Sequence, residues 1–159
     1  MTVPRPLEPL DIRLTSWMAR HGITLTRLAL GLIFTWFGVL KLIPGASPAE
    51  DLASRTLGRL TFGRVPSSTA LLVLAVWEVL IGIGLLTGRL LRVTLLLLFL
   101  QMAGTLTPLF LFPSETFRAF PYAPTLEGQY IIKNLVLIGA ALVIGATVRG
   151  GYVRANPPA

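Results

Sequence analysis

Four stretches of this chain, about residues 25–43, 69–86, 90–111 and 130–148, are nearly free of charge. Each approaches the ~20 residues that an α-helix needs to cross ~30 Å of hydrocarbon. At that depth the backbone must satisfy its own hydrogen bonds, and apolar runs without a two-residue alternation do so as helices. Charged residues make up 13% of the 159 residues, against about 25% in a soluble domain. Too little polar chain is left to wrap four helices that are apolar all round. The expected fold is an all-α integral membrane protein, a four-transmembrane-helix bundle with short amphipathic interfacial helices. Residues 1–24 form a cytoplasmic N-terminal segment with an interfacial helix, 25–148 the membrane domain and 149–159 a cytoplasmic tail. Pro4, Pro6, Pro9, Glu8 and Asp11 near the start do not fit a cleaved signal peptide, which needs a short apolar core after a basic start.

Residue types absent from the chain narrow its chemistry. There is no cysteine and His21 is the one histidine, so thiolate chemistry, sulfur-ligated metals, bis-histidine haem and ordinary zinc sites are not expected. No metal site and no intrinsic cofactor are expected. The net charge of +7 is not gathered into one basic tract with aromatic stacking residues, so nucleic acid is not an expected partner. The charges suit topology better. Arg5, Arg13, Arg20, Arg27, Arg89, Arg92, Arg149 and Arg154 lie on one side of the four spans, eight of the 14 basic residues. Lys41, Arg55, Arg59, Arg64, Arg118 and Lys133 lie on the other, with Glu50, Asp51, Glu115 and Glu127. By the positive-inside rule the protein belongs in the cytoplasmic (inner) membrane with both termini in the cytoplasm.

Between the spans the chain carries its own signals. Leu10, Leu14, Trp17 and Met18 recur at helical spacing opposite Asp11, Arg13 and Arg20, which predicts a short surface helix after an irregular proline-rich start. Ser47-Pro48-Ala49-Glu50 reads as a capping box. It opens a helix with Leu52, Ala53, Leu57 and Leu60 on one face, lying on the membrane or over the bundle mouth. Gly63 and Pro66 end it. The short Thr87-Gly88-Arg89 link makes the second and third spans antiparallel neighbours. Pro108 should kink or end the third run. The segment from Pro113 to Glu127, with Phe117, Phe120, Pro121, Tyr122 and Pro124, reads as a rigid aromatic loop that anchors at the interface or covers a cavity. Gly84 with Gly88 and Ala141 with Gly145 are small-residue pairs that permit close helix approach.

One acid stands out. Glu78 lies near the middle of the second run, where a lone carboxylate costs about 2.5–3.5 kcal/mol on insertion scales, so it needs a partner or a task. Lys41, Gln101, Gln129, Tyr130, Lys133 and Asn134 also lie in or at the edges of the runs, and Glu127 lies just outside the fourth. These eight residues are the candidate buried polar cluster. Two readings stay open. An ion pair between Glu78 and Lys41 or Lys133, with Gln101 as a hydrogen-bonding neighbour, would fix helix register. Alternatively the cluster lines a cavity open to the outer face that takes a quinone headgroup, a proton or a small polar ligand.

Arg27 through Phe34, Gly38 and Lys41, the Trp77-Glu78 pair with Gly82, and the run Thr125-Leu126-Glu127-Gly128-Gln129-Tyr130-Ile131-Ile132-Lys133-Asn134-Leu135 resemble the DoxX-like small membrane proteins. The resemblance spans about residues 25–150 and is nearest to the branch containing YkgB and RclC. It implies a four-helix membrane bundle tied to oxidative or sulfur redox systems, as an accessory subunit that works with a membrane or soluble redox partner. The lack of cysteine sets this chain apart from direct thiol chemistry. Competing expectations are a small proton-coupled transporter, in which Glu78 changes protonation, and a non-catalytic membrane assembly factor. A homo-oligomer is compatible with all three.

Overall fold

The structure, a computed structural model, describes residues 8–43, 45–47 and 50–155. Its elements in order are α1 (Glu8–Leu40), α2 (Glu50–Leu60), α3 (Ser67–Thr87), α4 (Leu91–Leu106), α5 (Pro108–Leu111), α6 (Pro113–Thr116), β1 (Phe117–Ala119), β2 (Ala123–Pro124), α7 (Leu126–Ile132) and α8 (Asn134–Ala146). Among the described residues, four stretches are long and apolar enough to cross a membrane: Glu8–Leu40, Ser67–Thr87, Leu91–Leu111 and Leu126–Ala146. They pack in the cyclic order α1, α3, α4, α8, each touching two neighbours. Leu32, Trp36, Leu80, Val136 and Leu142 point outward, as the lipid-facing side of a membrane bundle requires. The fold is the expected all-α membrane bundle.

Two helix starts differ from the sequence expectation. The N-terminal amphipathic stretch does not form a separate helix: α1 begins at Glu8 and runs unbroken for 33 residues, about 50 Å at 1.5 Å per residue. Nothing interrupts it, since Pro9 falls in the first turn, where its missing N–H costs nothing, and the internal glycines, Gly22, Gly31 and Gly38, are tolerated in a helix. All buried side chains of α1 lie between Leu30 and Gly38, so its first half overhangs the bundle. The fourth span starts at Leu126 rather than near residue 130, because Thr125 caps α7 by accepting from the Gly128 N–H at 3.2 Å. The prolines at positions 4 and 6 and the middle of the expected capping box, residues 48–49, lie outside the described residues. Glu50 itself reaches back to accept from the Gly45 N–H at 3.0 Å.

Other expectations hold in detail. α3 and α4 are packed neighbours joined by a tight turn whose Gly88 has φ +68° and donates its N–H to the Gly84 carbonyl, the αL cap that favours glycine. Pro108 separates α4 from α5. The aromatic segment folds into α6 and a short antiparallel hairpin, β1 pairing with β2. α2 closes in a Schellman-type turn, with the Gly63 N–H on the Gly58 carbonyl and the Phe62 N–H on the Arg59 carbonyl. Its αL position is held by Phe62 at φ +54°, where glycine is usual.

Lipid tails are as apolar as leucine, so burial alone does not draw membrane helices together and close packing must. The closest packing joins α1 to α3. A Cβ on Gly31 would lie 2.9 Å from the Leu86 backbone nitrogen, and one on Gly38 would lie 2.9 Å from that of Val79. Gly82 faces Thr35 with no room for a side chain. The seam of Gly31, Thr35 and Gly38 against Val79, Gly82 and Leu86 was not among the pairs singled out in the sequence. Of those, Gly84 packs against Thr94, while Gly88 serves as the cap. The far end of the seam is tied by Arg27, whose guanidinium donates to the Leu85 and Leu86 carbonyls. These are carbonyls at the C-terminal end of α3 that the helix leaves unpaired.

The seam also sets the register. Gly31 stands opposite Leu86 and Gly82, and Gly38 opposite Val79 and Ala75. α1 therefore ends about eight residues, roughly 12 Å, short of the start of α3. α2 fills the space above it, packing against α3. Gly82→Ala is expected to destabilise the detergent-solubilised protein by about 1–3 kcal/mol, the cost of overpacking. Gly139→Ala, where a Cβ meets nothing within 4 Å, should be neutral or slightly stabilising; thermal unfolding of both variants checks the contrast.

Candidate functional site

Under α2, where α1 leaves off, lies a chamber of about 360 Å³. Leu52, Ala53, Thr56, Leu57 and Leu60 of α2 form its roof. These include all four residues that the sequence placed on the apolar face of that helix. Ala70, Val73, Leu74 and Trp77 of α3, with Leu100, Gly104, Thr105 and Pro108 from α4 and α5, form the walls. Ile131 of α7 completes them. Lys41, Glu78 and Gln101 are the charged and amide groups that face it.

Glu78 projects from the middle of α3, about 16 Å from its start, and is 8% exposed. Its two carboxylate oxygens have separate partners. Lys41 Nζ donates to Oε2 at 2.7 Å and Gln101 Nε2 donates to Oε1 at 2.7 Å. Lys41 sits just past the end of α1 and folds back along it, with Nζ 3.5 Å from the Phe37 carbonyl. An ammonium there also meets the negative end of the helix dipole. The carboxylate thus joins α1, α3 and α4 in one hydrogen-bonded group of no net charge. Trp77, next to Glu78, adds a second tie from α3 to α4 by donating Nε1–H to the Leu97 carbonyl at 3.1 Å.

Of the eight residues expected to cluster, the structure brings together these three and no more. Lys133 is exposed and stacks its ammonium over the Tyr130 ring at 5.0 Å, while Glu78 pairs with Lys41. Glu127, Gln129 and Tyr130 are exposed, and Asn134 is half-buried and opens α8. The reason lies in the turn that begins α7. The Thr125 hydroxyl donates to the Glu115 carbonyl at 2.7 Å, its N–H reaches the Thr116 carbonyl, and Gly128 packs on the Thr116 backbone with no space for a Cβ. That docking rotates the polar side of α7 outward. The register of the Thr125–Asn134 run sends Ile131 to the chamber instead.

The sequence also did not reveal the clamp on the roof. Arg55 of α2 donates to both oxygens of Glu115 in α6, at 2.6 Å each, and to Asp51 one turn away. Arg55 and Arg59 lie over the Phe112 ring, at 5.3 and 5.9 Å from its centroid. The aromatic segment thus does not cover the chamber itself; it holds the helix that does. Arg55 keeps the Glu115 carboxyl below the usual carboxylate range, and Glu115 in turn raises the Arg55 guanidinium. Both groups are solvent-screened, so the pair is a positional tie rather than a large source of stability.

An all-α bundle with four spans and a polar group set at mid-depth defines a small polytopic membrane protein. The DoxX family model matches residues 22–113, more than half the chain, and the protein belongs to the DoxX family. The match covers α2, α3, α4, α5 and the part of α1 that enters the bundle, and so contains Lys41, Glu78 and Gln101. No curated protein and no solved structure matches the chain.

Two outcomes follow from this geometry. Lys41→Met leaves the Glu78 carboxylate without its cation and should cost about 3–5 kcal/mol. The double variant Lys41→Met/Glu78→Leu should recover part of that loss in a double-mutant cycle read by thermal unfolding. Because the Glu115 carboxyl is lowered, the clamp is complete above the ordinary carboxylate pKa and is lost as the pH falls through the depressed value. A spin label on α2 should gain mobility with acidification in the wild type, whereas Glu115→Gln should leave it mobile at every pH.

Proposed function

We propose that this DoxX-family protein falls in the branch containing YkgB and RclC and is an accessory inner-membrane subunit of a redox or oxidative-stress system. Both termini face the cytoplasm. Its chamber receives a quinone headgroup beside Lys41, Glu78 and Gln101. The observation that carries this reading is a buried polar group of no net charge, set at mid-depth against a chamber that is otherwise almost wholly apolar. Its volume of about 360 Å³ falls in the range of small-ligand pockets, about 300–1,000 Å³. A headgroup with polar oxygens on an apolar ring matches such walls.

The chain has no thiol and a single histidine, so this reading assigns the electrons to a partner protein. The tilt toward a ligand site rather than a through-membrane carrier comes from the packing below Glu78. There Leu30, Phe34, Ile81, Leu85, Leu95 and Leu98 form a buried apolar layer, which favours a pocket open at one end over a polar path for protons. The orientation rests on the arginines gathered at the Arg27 end, near Arg89, Arg92 and Arg149.

Extraction of the protein from native membranes into lipid nanodiscs, followed by chromatography of the bound lipids and by co-purification, tests the reading. Quinone enriched over the bulk membrane, lost on Ala53→Trp, is the expected result. A protein recovered with neither enriched quinone nor a redox partner would count decisively against it.

A further inference from the structure

The chamber is not closed on every side. Most of its lining residues are buried or half-buried, and three are exposed: Leu60 of α2, Val73 of α3 and Leu100 of α4. One comes from each of three helices, so together they mark a mouth where α2, α3 and α4 meet on the membrane-facing surface of the bundle. α3 and α4 touch closely near their shared turn, where Gly84 packs on Thr94 with no room for a Cβ. Nearer the mouth the Trp77 indole stands between them, its N–H on the Leu97 carbonyl at 3.1 Å.

A second cavity begins at this mouth. It is a groove of about 370 Å³ lined by Leu72, Val73, Val76, Trp77, Leu80 and Leu97. Val73 and Trp77 border both spaces. From Val73 to Leu80 is seven residues, about 10 Å along the helix, so the groove runs from the level of the chamber toward the turn that joins α3 to α4. Its walls are apolar, and the Trp77 N–H, the one polar side-chain group among them, already has its acceptor. The chamber itself, at about 360 Å³, lies near the bottom of the range for small-ligand pockets, about 300–1,000 Å³. A lipid-soluble molecule whose headgroup fills it must leave its tail outside.

We propose that the groove is the tail site of the chamber's ligand: the headgroup lies beside Glu78, and an isoprenoid or alkyl tail leaves between Val73 and Leu100 and lies along Val76 and Leu80. The proposal rests on the reading of the chamber as a quinone site and adds the route of entry and the place of the tail. Lipid tails are as apolar as these walls, so the groove sets where the tail lies rather than drawing it from the bilayer. A phospholipid chain would suit the groove taken alone. The continuity with the chamber through Val73 and Trp77 favours the ligand's own tail.

A benzoquinone with a decyl tail that ends in a diazirine tests this directly. Wild-type protein in nanodiscs is irradiated with the probe, labelled positions are mapped by mass spectrometry of peptides, and retained quinone is measured by chromatography. A phospholipid carrying the same diazirine at the end of one acyl chain is the control. The quinone probe should label Val76, Leu80 and Leu97 severalfold more than the phospholipid does. That labelling should be lost in excess duroquinone, a tailless ring that competes for the chamber alone. Ala53→Trp, which fills the roof, should abolish it too and leave the phospholipid pattern unchanged. Probe retention that duroquinone displaces, with label spread evenly over the lipid-facing side chains or confined to α2, would overturn the tail site while leaving the headgroup site in place. Equal labelling of the groove by quinone and phospholipid, indifferent to duroquinone, would also overturn it, the groove then holding ordinary lipid. If retention of the probe responds neither to duroquinone nor to Ala53→Trp, the chamber reading and the tail site fall together. The wild-type comparison needs no variant to fold.

Discussion

A carboxylate at the middle of a membrane-spanning helix must be paired, because nothing in hydrocarbon will solvate it. In this protein the pairing of Glu78 with Lys41 and Gln101 joins three of the four spans at one level. Lys41 comes from the end of α1 and Gln101 from the middle of α4, so the geometry is met only when both helices hold their register against α3. The Gly31, Gly38 and Gly82 seam supplies that register through backbone proximity. The two features depend on one another. A bulkier seam would push Lys41 away from Glu78, and an unpaired Glu78 would weigh against the close helix approach.

The chamber follows from where α1 stops. Because the seam places the end of α1 about 12 Å below the start of α3, the upper part of the bundle lacks a fourth wall. α2 returns over the gap with its apolar side down, and Arg55 fastens it to Glu115 and Phe112. A space lined by apolar side chains is thereby left directly above a satisfied ion pair. This arrangement differs from a simple structural salt bridge. The same carboxylate that secures the helices also fixes the direction of the Gln101 amide, whose N–H donates to it.

Much of this was legible from local patterns. The apolar runs announced the spans, Pro108 marked the break between α4 and α5, and the spacing of Leu52, Ala53, Leu57 and Leu60 marked the face that roofs the chamber. Each of these signals depends on neighbours within a few turns of the chain. The misreadings arose where distant contacts decide orientation. Tyr130, Lys133 and Asn134 share a run with buried residues, but the Thr125 cap and the Gly128 contact rotate them outward. The first span and the segment before it merge into one helix because no residue between them stops it. The glycine seam was hidden because glycine is common in apolar helices and only the partner backbone distinguishes a contact from a coincidence.

The sequence by itself determined that the chain is a four-span membrane protein and that Glu78 needs partners, since helix length, apolarity and the cost of an isolated charge are properties of local chemistry. Only the tertiary structure decided which partners it has. Lys41 and Lys133 were equally plausible cations on one side of the bundle. The choice between them depends on helix rotation and end-to-end register, set by backbone contacts between residues some fifty positions apart, which no local pattern encodes. The same contacts decided that a chamber exists.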